Sequence, residues 1–84
     1  MSMYRKKPVV IEAIQYRGDN AAEVLAWANA SMVSYQPTTT TMTVKTLEGE
    51  MTVYPLAWLI RGVQGELYPC RPDIFAATYE LVKE

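Results

Sequence analysis

The chain has 84 residues, half of them apolar and a fifth charged, and its 9.5 kDa predict one domain, residues 1–84, with a buried core and no second catalytic lobe. Eight basic against nine acidic side chains leave a net charge of −1, no excess that would draw in nucleic acid or an anionic lipid surface. The absence of histidine and the single cysteine exclude zinc clusters, imidazole-based triads and an internal disulfide framework.

The N-terminal Arg5-Lys6-Lys7 run is followed by no apolar segment of signal-peptide length before Glu12. Glu12, Asp19, Glu23, Lys45, Arg61 and Arg71 interrupt every stretch that approaches the roughly 18 apolar residues of a membrane span. A cytosolic protein is expected, and Cys70 fits a reducing compartment as a small apolar side chain. Pro8 to Tyr16, PVVIEAIQY, is rich in β-branched and aromatic residues and runs into Arg17-Gly18-Asp19, which predicts a central strand ending in a turn. Asn20 with Glu23 three residues on has the form of a capping box, and Ala21, Val24, Leu25 and Ala28 share one helical face. A helix over about 20–30 follows, too short to stand without docking on a sheet.

Residues 31–41 carry Met32-Val33-Ser34-Tyr35 and a β-prone threonine run. Beyond it, MTVKTL and EMTVY alternate around Glu48-Gly49, the pattern of a hairpin with a two-residue loop. That loop sets Thr46 opposite Met51, Lys45 opposite Thr52 and Val44 opposite Val53. It gathers Met42, Val44, Thr46, Met51 and Val53 on one face, and a one-residue slip would scatter the set. Pro55 ends the hairpin. Leu56 to Ile60 reads as a buried strand, Gly62 to Gly65 as a turn, and Glu66 to Pro69 as a return strand that brings Arg61 beside Glu66. Pro72 and Asp73 suit the start of a short helix over 73–77, and Thr78 to Val82 resumes alternation as a closing strand. The sum is an α+β fold: an antiparallel sheet of about five strands, one docked helix and a short C-terminal helical turn.

The segments YRKKPVVIEAIQY, VKTLEGEMTVYP and WLIRGVQGELYPCRPDIFAATYELV together resemble a family of small proteins encoded by tailed bacteriophages and prophages. They cover about three fifths of the chain, and the Trp58 to Tyr79 run carries most of the likeness. Relatives have Pro-Gly-Asp-Trp at the entrance to that run where this chain has Pro55-Leu56-Ala57-Trp58, which suggests a less sharp entry here. The resemblance implies a phage origin and action in the host cytoplasm, and it implies no reaction.

Arg61, Glu66, Tyr68, Cys70, Arg71 and Asp73 form the densest polar cluster, with Trp58 at its entrance. It reads either as a charged turn beside the core or as an anion or peptide site, with the two arginines as donors and Tyr68 as a stacking face. Cys70 has no histidine to act as its base, and the turn carboxylates Glu48 and Glu50 stay solvated, so no catalytic residue, metal site or cofactor is expected. Two tryptophans and six tyrosines are many for so small a surface, and aromatics of this kind favour interfaces, including a homodimer. The expected function is that of a non-enzymatic phage accessory protein. It would bind a host or phage protein through residues 58–73 or an aromatic sheet face, with no membrane or nucleic-acid partner. A module that sequesters a small anionic, nucleotide-like ligand and a minor virion component are the alternatives.

Overall fold

Pro55 decides how the strands are shared out. In the computed structural model, which describes residues 1–29 and 31–82, Tyr54 to Ala57 make a turn closed by the Ala57 N–H donating to the Tyr54 carbonyl at 3.0 Å. Pro55 occupies its second position and Leu56 its third, at φ 78°, the arrangement of a type II turn. The chain therefore leaves the preceding hairpin and starts a new sheet. The elements are β1 (Glu12–Gln15), α1 (Ala21–Trp27), β2 (Val33–Gln36), β3 (Thr41–Thr46), β4 (Gly49–Val53), β5 (Trp58–Arg61), β6 (Leu67–Cys70) and α2 (Pro72–Thr78). The α+β class is as expected, but the strands form two antiparallel three-stranded sheets, β1-β5-β6 and β2-β3-β4, where one sheet of about five was anticipated. The entry to β5 is also sharp: Leu56 adopts the left-handed backbone that a glycine would take without strain.

The hairpin keeps its predicted faces and moves its register. Val44 lies opposite Met51 and Met42 opposite Val53, a shift of two residues from the expected pairing, which preserves parity. A Glu48-Gly49 loop of type I′ demands positive φ at both positions. The chain turns instead on Leu47-Glu48 and places its left-handed residue at Gly49, φ 109°. The Thr46 hydroxyl fastens this turn by donating to the Gly49 carbonyl at 2.6 Å and accepting from the Glu48 N–H at 3.1 Å.

Four other expectations shorten, shift or fail. The strand expected over 8–16 is ordered only as β1, because its partner β5 ends at Arg61 and the chain turns away where the Gly62 N–H donates to the Glu66 carbonyl at 2.8 Å. Helix α1 stops at Trp27 because Ala28 is extended, with ψ 166°; Ala30, within the expected helix, lies outside the described residues. Asn20 makes no side-chain cap. Its amide donates to the Gln15 carbonyl at 2.9 Å and to Glu23 Oε1 at 2.8 Å while its Oδ1 accepts from the Arg17 N–H at 2.7 Å, which fixes the β1–α1 loop. Residues 79–82 form no closing strand: the Tyr79 N–H ends α2 on the Phe75 carbonyl at 2.9 Å, and its ring stacks on Phe75.

The main core gathers Tyr16, Val24, Val33, Met42, Val44, Val53, Leu59 and Leu67 from α1 and both sheets. Each fully buried apolar side chain contributes about 1.5–3 kcal/mol. Tyr16 also ties the sheets together, since its buried hydroxyl donates to the Thr40 carbonyl at 2.7 Å. Ile60 is equally buried but stands outside this cluster. It points to the opposite face of the β1-β5-β6 sheet with its register partners Ala13 and Tyr68, and this second face positions the site.

Candidate functional site

Strand alternation puts Trp58 and Ile60 on the second sheet face, where α2 packs against Trp58. Phe75 lies flat on Trp58, with ring centroids 4.0 Å apart and planes 7° apart, and Tyr79 stacks on Phe75 at 5.0 Å. Pro72 in the first turn of α2 fixes the exit from β6 that aims Phe75 at the sheet. The N-terminal arm reaches the same aromatic ladder from the other side, with Lys6 Nζ 5.3 Å from the centre of the Tyr79 ring.

Between arm and tail lies a groove of about 730 Å³, walled by Val9, Val10 and Ile11 on one side, Leu81 and Val82 on the other, and floored by Trp58 and Phe75. Its volume is that of a ligand or peptide cleft, and its walls are wet: Val10 is 76% and Leu81 86% exposed. Residues 1–10 and 80–82 make no backbone hydrogen bond to any other described residue. Two β-prone segments thus flank the groove with free main-chain donors and acceptors.

The polar cluster expected over 58–73 does not converge. Arg61 and Arg71 sit at opposite ends of the β5–β6 pair, roughly 13 Å apart along the strands. Arg61 is committed to the core side. Its guanidinium donates to the Trp27 carbonyl at 2.5 Å, stands 4.2 Å from the Trp27 ring centre and pairs with Glu12 at 3.4 Å. The expected Arg61–Glu66 pair is not formed, because Arg61 lies opposite Leu67. Glu66 stays in the turn, where it accepts from the Gln64 N–H at 3.0 Å. Arg71 is taken up by Asp73 through two bonds, Nε to Oδ1 at 3.2 Å and Nη2 to Oδ2 at 2.6 Å, and this guanidinium holds the Asp73 carboxyl below the usual range. Of the seven residues singled out by sequence, Trp58 floors the groove and Tyr68 adjoins it through Tyr79, while Arg61, Glu66, Cys70, Arg71 and Asp73 stand apart from its lining.

Two titrating groups on the second face, Cys70 and Tyr68, are held neutral. Burial pushes the Cys70 thiol up, and Asp73 pushes it further, so the half-buried sulfur favours the thiol over the reactive thiolate. Burial, with a hydrogen bond and charge from Tyr79, pushes Tyr68 up to about 12. Among the described residues no group of three or more cysteines or carboxylates is placed to hold a metal ion, and no helix is long and apolar enough to cross a membrane. What the sequence did not single out is the groove's two walls, Val9 to Ile11 and Leu81-Val82. The only signal was their apolar, β-prone character in segments left without a strand partner. No protein-family model matches the chain, and neither a curated protein nor a solved structure matches it.

Proposed function

We propose that this protein is a non-enzymatic binding module, a small phage accessory protein acting in the host cytoplasm on a host or phage protein. An extended, apolar segment of that partner lies in the groove between arm and tail. One observation supports it above others: exposed Val9, Val10, Leu81 and Val82 line a groove whose flanking backbone is unpaired among the described residues. A partner strand there takes main-chain hydrogen bonds from the flanks, and Trp58 and Phe75 receive its side chains, which is the physics of strand addition. Self-association into a homodimer accompanies this function, since a free sheet edge invites a second copy.

The test is affinity capture from host lysate, with and without infection, using wild type, Val10→Asp, Leu81→Asp and Arg71→Ala as baits. A protein retained by wild type and Arg71→Ala and lost from both aspartate variants supports the function. Equal retention by all four baits, or nothing reproducible on wild type, contradicts it. A small-ligand module is disfavoured by the separation of Arg61 from Arg71 and by their internal partners. Thermal stabilisation by nucleotides or inorganic phosphate, abolished in Arg71→Ala, would reinstate it.

A further inference from the structure

Strand β1 is the outer strand of its sheet, and the arm that precedes it carries Val9, Val10 and Ile11 past the end of β5 with no partner strand among the described residues. The backbone of β1 shows which groups it offers. The Tyr16 N–H donates to the Ala57 carbonyl at 2.9 Å, and the Tyr16 carbonyl accepts from the Leu56 N–H at 2.6 Å, so Tyr16 is directed toward β5. Strand backbones alternate. Ile14 and Glu12 therefore share that direction, while Ala13, Ile11 and Val9 offer their N–H and carbonyl groups to the open edge. Pro8, which has no N–H to give, falls in the set directed away from that edge.

We propose that two copies of the chain join edge to edge through this arm, antiparallel, with Val9 opposite the partner's Val9. A two-fold axis through an antiparallel ribbon must pass through a residue that faces its own copy. An axis at Val9 makes Val9 a doubly hydrogen-bonded pair that uses the outward groups just identified. It sets Lys7 opposite the partner's Ile11, Pro8 opposite the partner's Val10 and Lys6 opposite the partner's Glu12. Axes at Val10 or Ile11 set Lys6 against the partner's Ile14 or the partner's Tyr16 and pair no opposite charges. The Val9 axis alone of these three is complementary, twice over by symmetry, and cross-strand pairs of opposite charge are the favoured ones. Lys6 leaves its place over Tyr79, and two three-stranded sheets become one continuous sheet. The pairing rests on the self-association proposed above and is independent of what the groove holds.

Sedimentation velocity at high micromolar concentration tests it with wild type, Lys6→Glu, Glu12→Lys and an equimolar mixture of the two variants. The expected result is a dimer for wild type, monomers for each variant alone and recovery of the dimer in the mixture, where both cross-strand pairs are again opposite in charge. Val9→Cys and Val10→Cys in a Cys70→Ser background supply a readout that leaves Glu12 and its Arg61 contact untouched. Facing Val9 positions lie within reach of a disulfide, so mild oxidation cross-links Val9→Cys faster than Val10→Cys. A wild type that sediments as the 9.5 kDa species, a mixture no more associated than its components, or equal cross-linking at the two positions overturns the pairing. Each of these leaves the capture result of the groove variants standing by itself.

Discussion

Replacing Arg61 with methionine removes a cation that finishes helix α1. That helix has no basic residue in its last turn, and its C-terminal carbonyls need donors from elsewhere. Arg61 reaches across from β5 to supply one, at 2.5 Å from the Trp27 carbonyl. A hydrogen bond from a charged donor contributes about 1.5–3 kcal/mol, and the stack on Trp27 adds about 0.5–1 kcal/mol. The Glu12 pair adds little, because Glu12 is 68% exposed and such pairs are worth about 0–1 kcal/mol. Methionine recovers part of the packing of the aliphatic stem, so Arg61→Met is expected to cost about 2–3 kcal/mol. In equilibrium urea unfolding with m of about 1 kcal/mol/M, the midpoint falls by roughly 2–3 M. Glu12→Gln is the control and should cost under about 0.5 kcal/mol. An Arg61→Met midpoint within experimental error of wild type, or an equal loss in Glu12→Gln, would refute the assignment of Arg61 to the helix end.

Leu56→Gly should be more stable than Leu56→Ala by about 0.5–1 kcal/mol in the same assay, reversing the usual order. At φ 78° a Cβ costs about 1–2 kcal/mol, more than the chain entropy glycine adds to the unfolded state; alanine proving the better residue would remove the strain. Phe75→Ala should cost about 2 kcal/mol, combining partial burial with two aromatic stacks. In a Trp27→Phe background it should also shift Trp58 emission to the red, and unchanged emission would mean that α2 does not cover Trp58. Cys70 and Tyr68 have raised folded-state pKa values, so the stability they contribute is complete below their unfolded values and is lost as pH rises. The melting temperature should be flat through neutrality and fall from about pH 8.5 upward, where free thiols and then phenols ionise. Cys70→Ser should delay the onset, and a melting temperature that climbs over this range would reverse the assigned direction.

How much of this was legible depends on whether the cause lay nearby in sequence. The period-two pattern of Met42 to Thr46 and Met51 to Val53 gave the hairpin its faces, because burial of one face fixes parity. Its register was set by which residue could hold positive φ, and that choice fell to Gly49. The β5–β6 register slipped by one residue for a different reason: Leu59 and Ile60 are both fully buried, so the pattern does not distinguish the faces. Division into two sheets was hidden because it turns on Leu56, a residue that does not advertise a left-handed conformation. Propensity alone could not tell that Val9 to Ile11 and Tyr79 to Val82 lack partner strands among the described residues. Within the candidate site Trp58 was visible as an aromatic in an apolar run. The commitment of Arg61 to Trp27, 34 positions away in the chain, and the groove between the two ends are products of tertiary packing.

The most direct measurement of the central claim is hydrogen exchange on the protein alone and with its captured partner bound. Slowed exchange at residues 79–82 and at Val10, with Arg71 to Asp73 and the β3–β4 turn unchanged, is the predicted result. Protection confined to the β3–β4 hairpin or to Arg71 and Asp73, with the tail exchanging as freely as before, would contradict it.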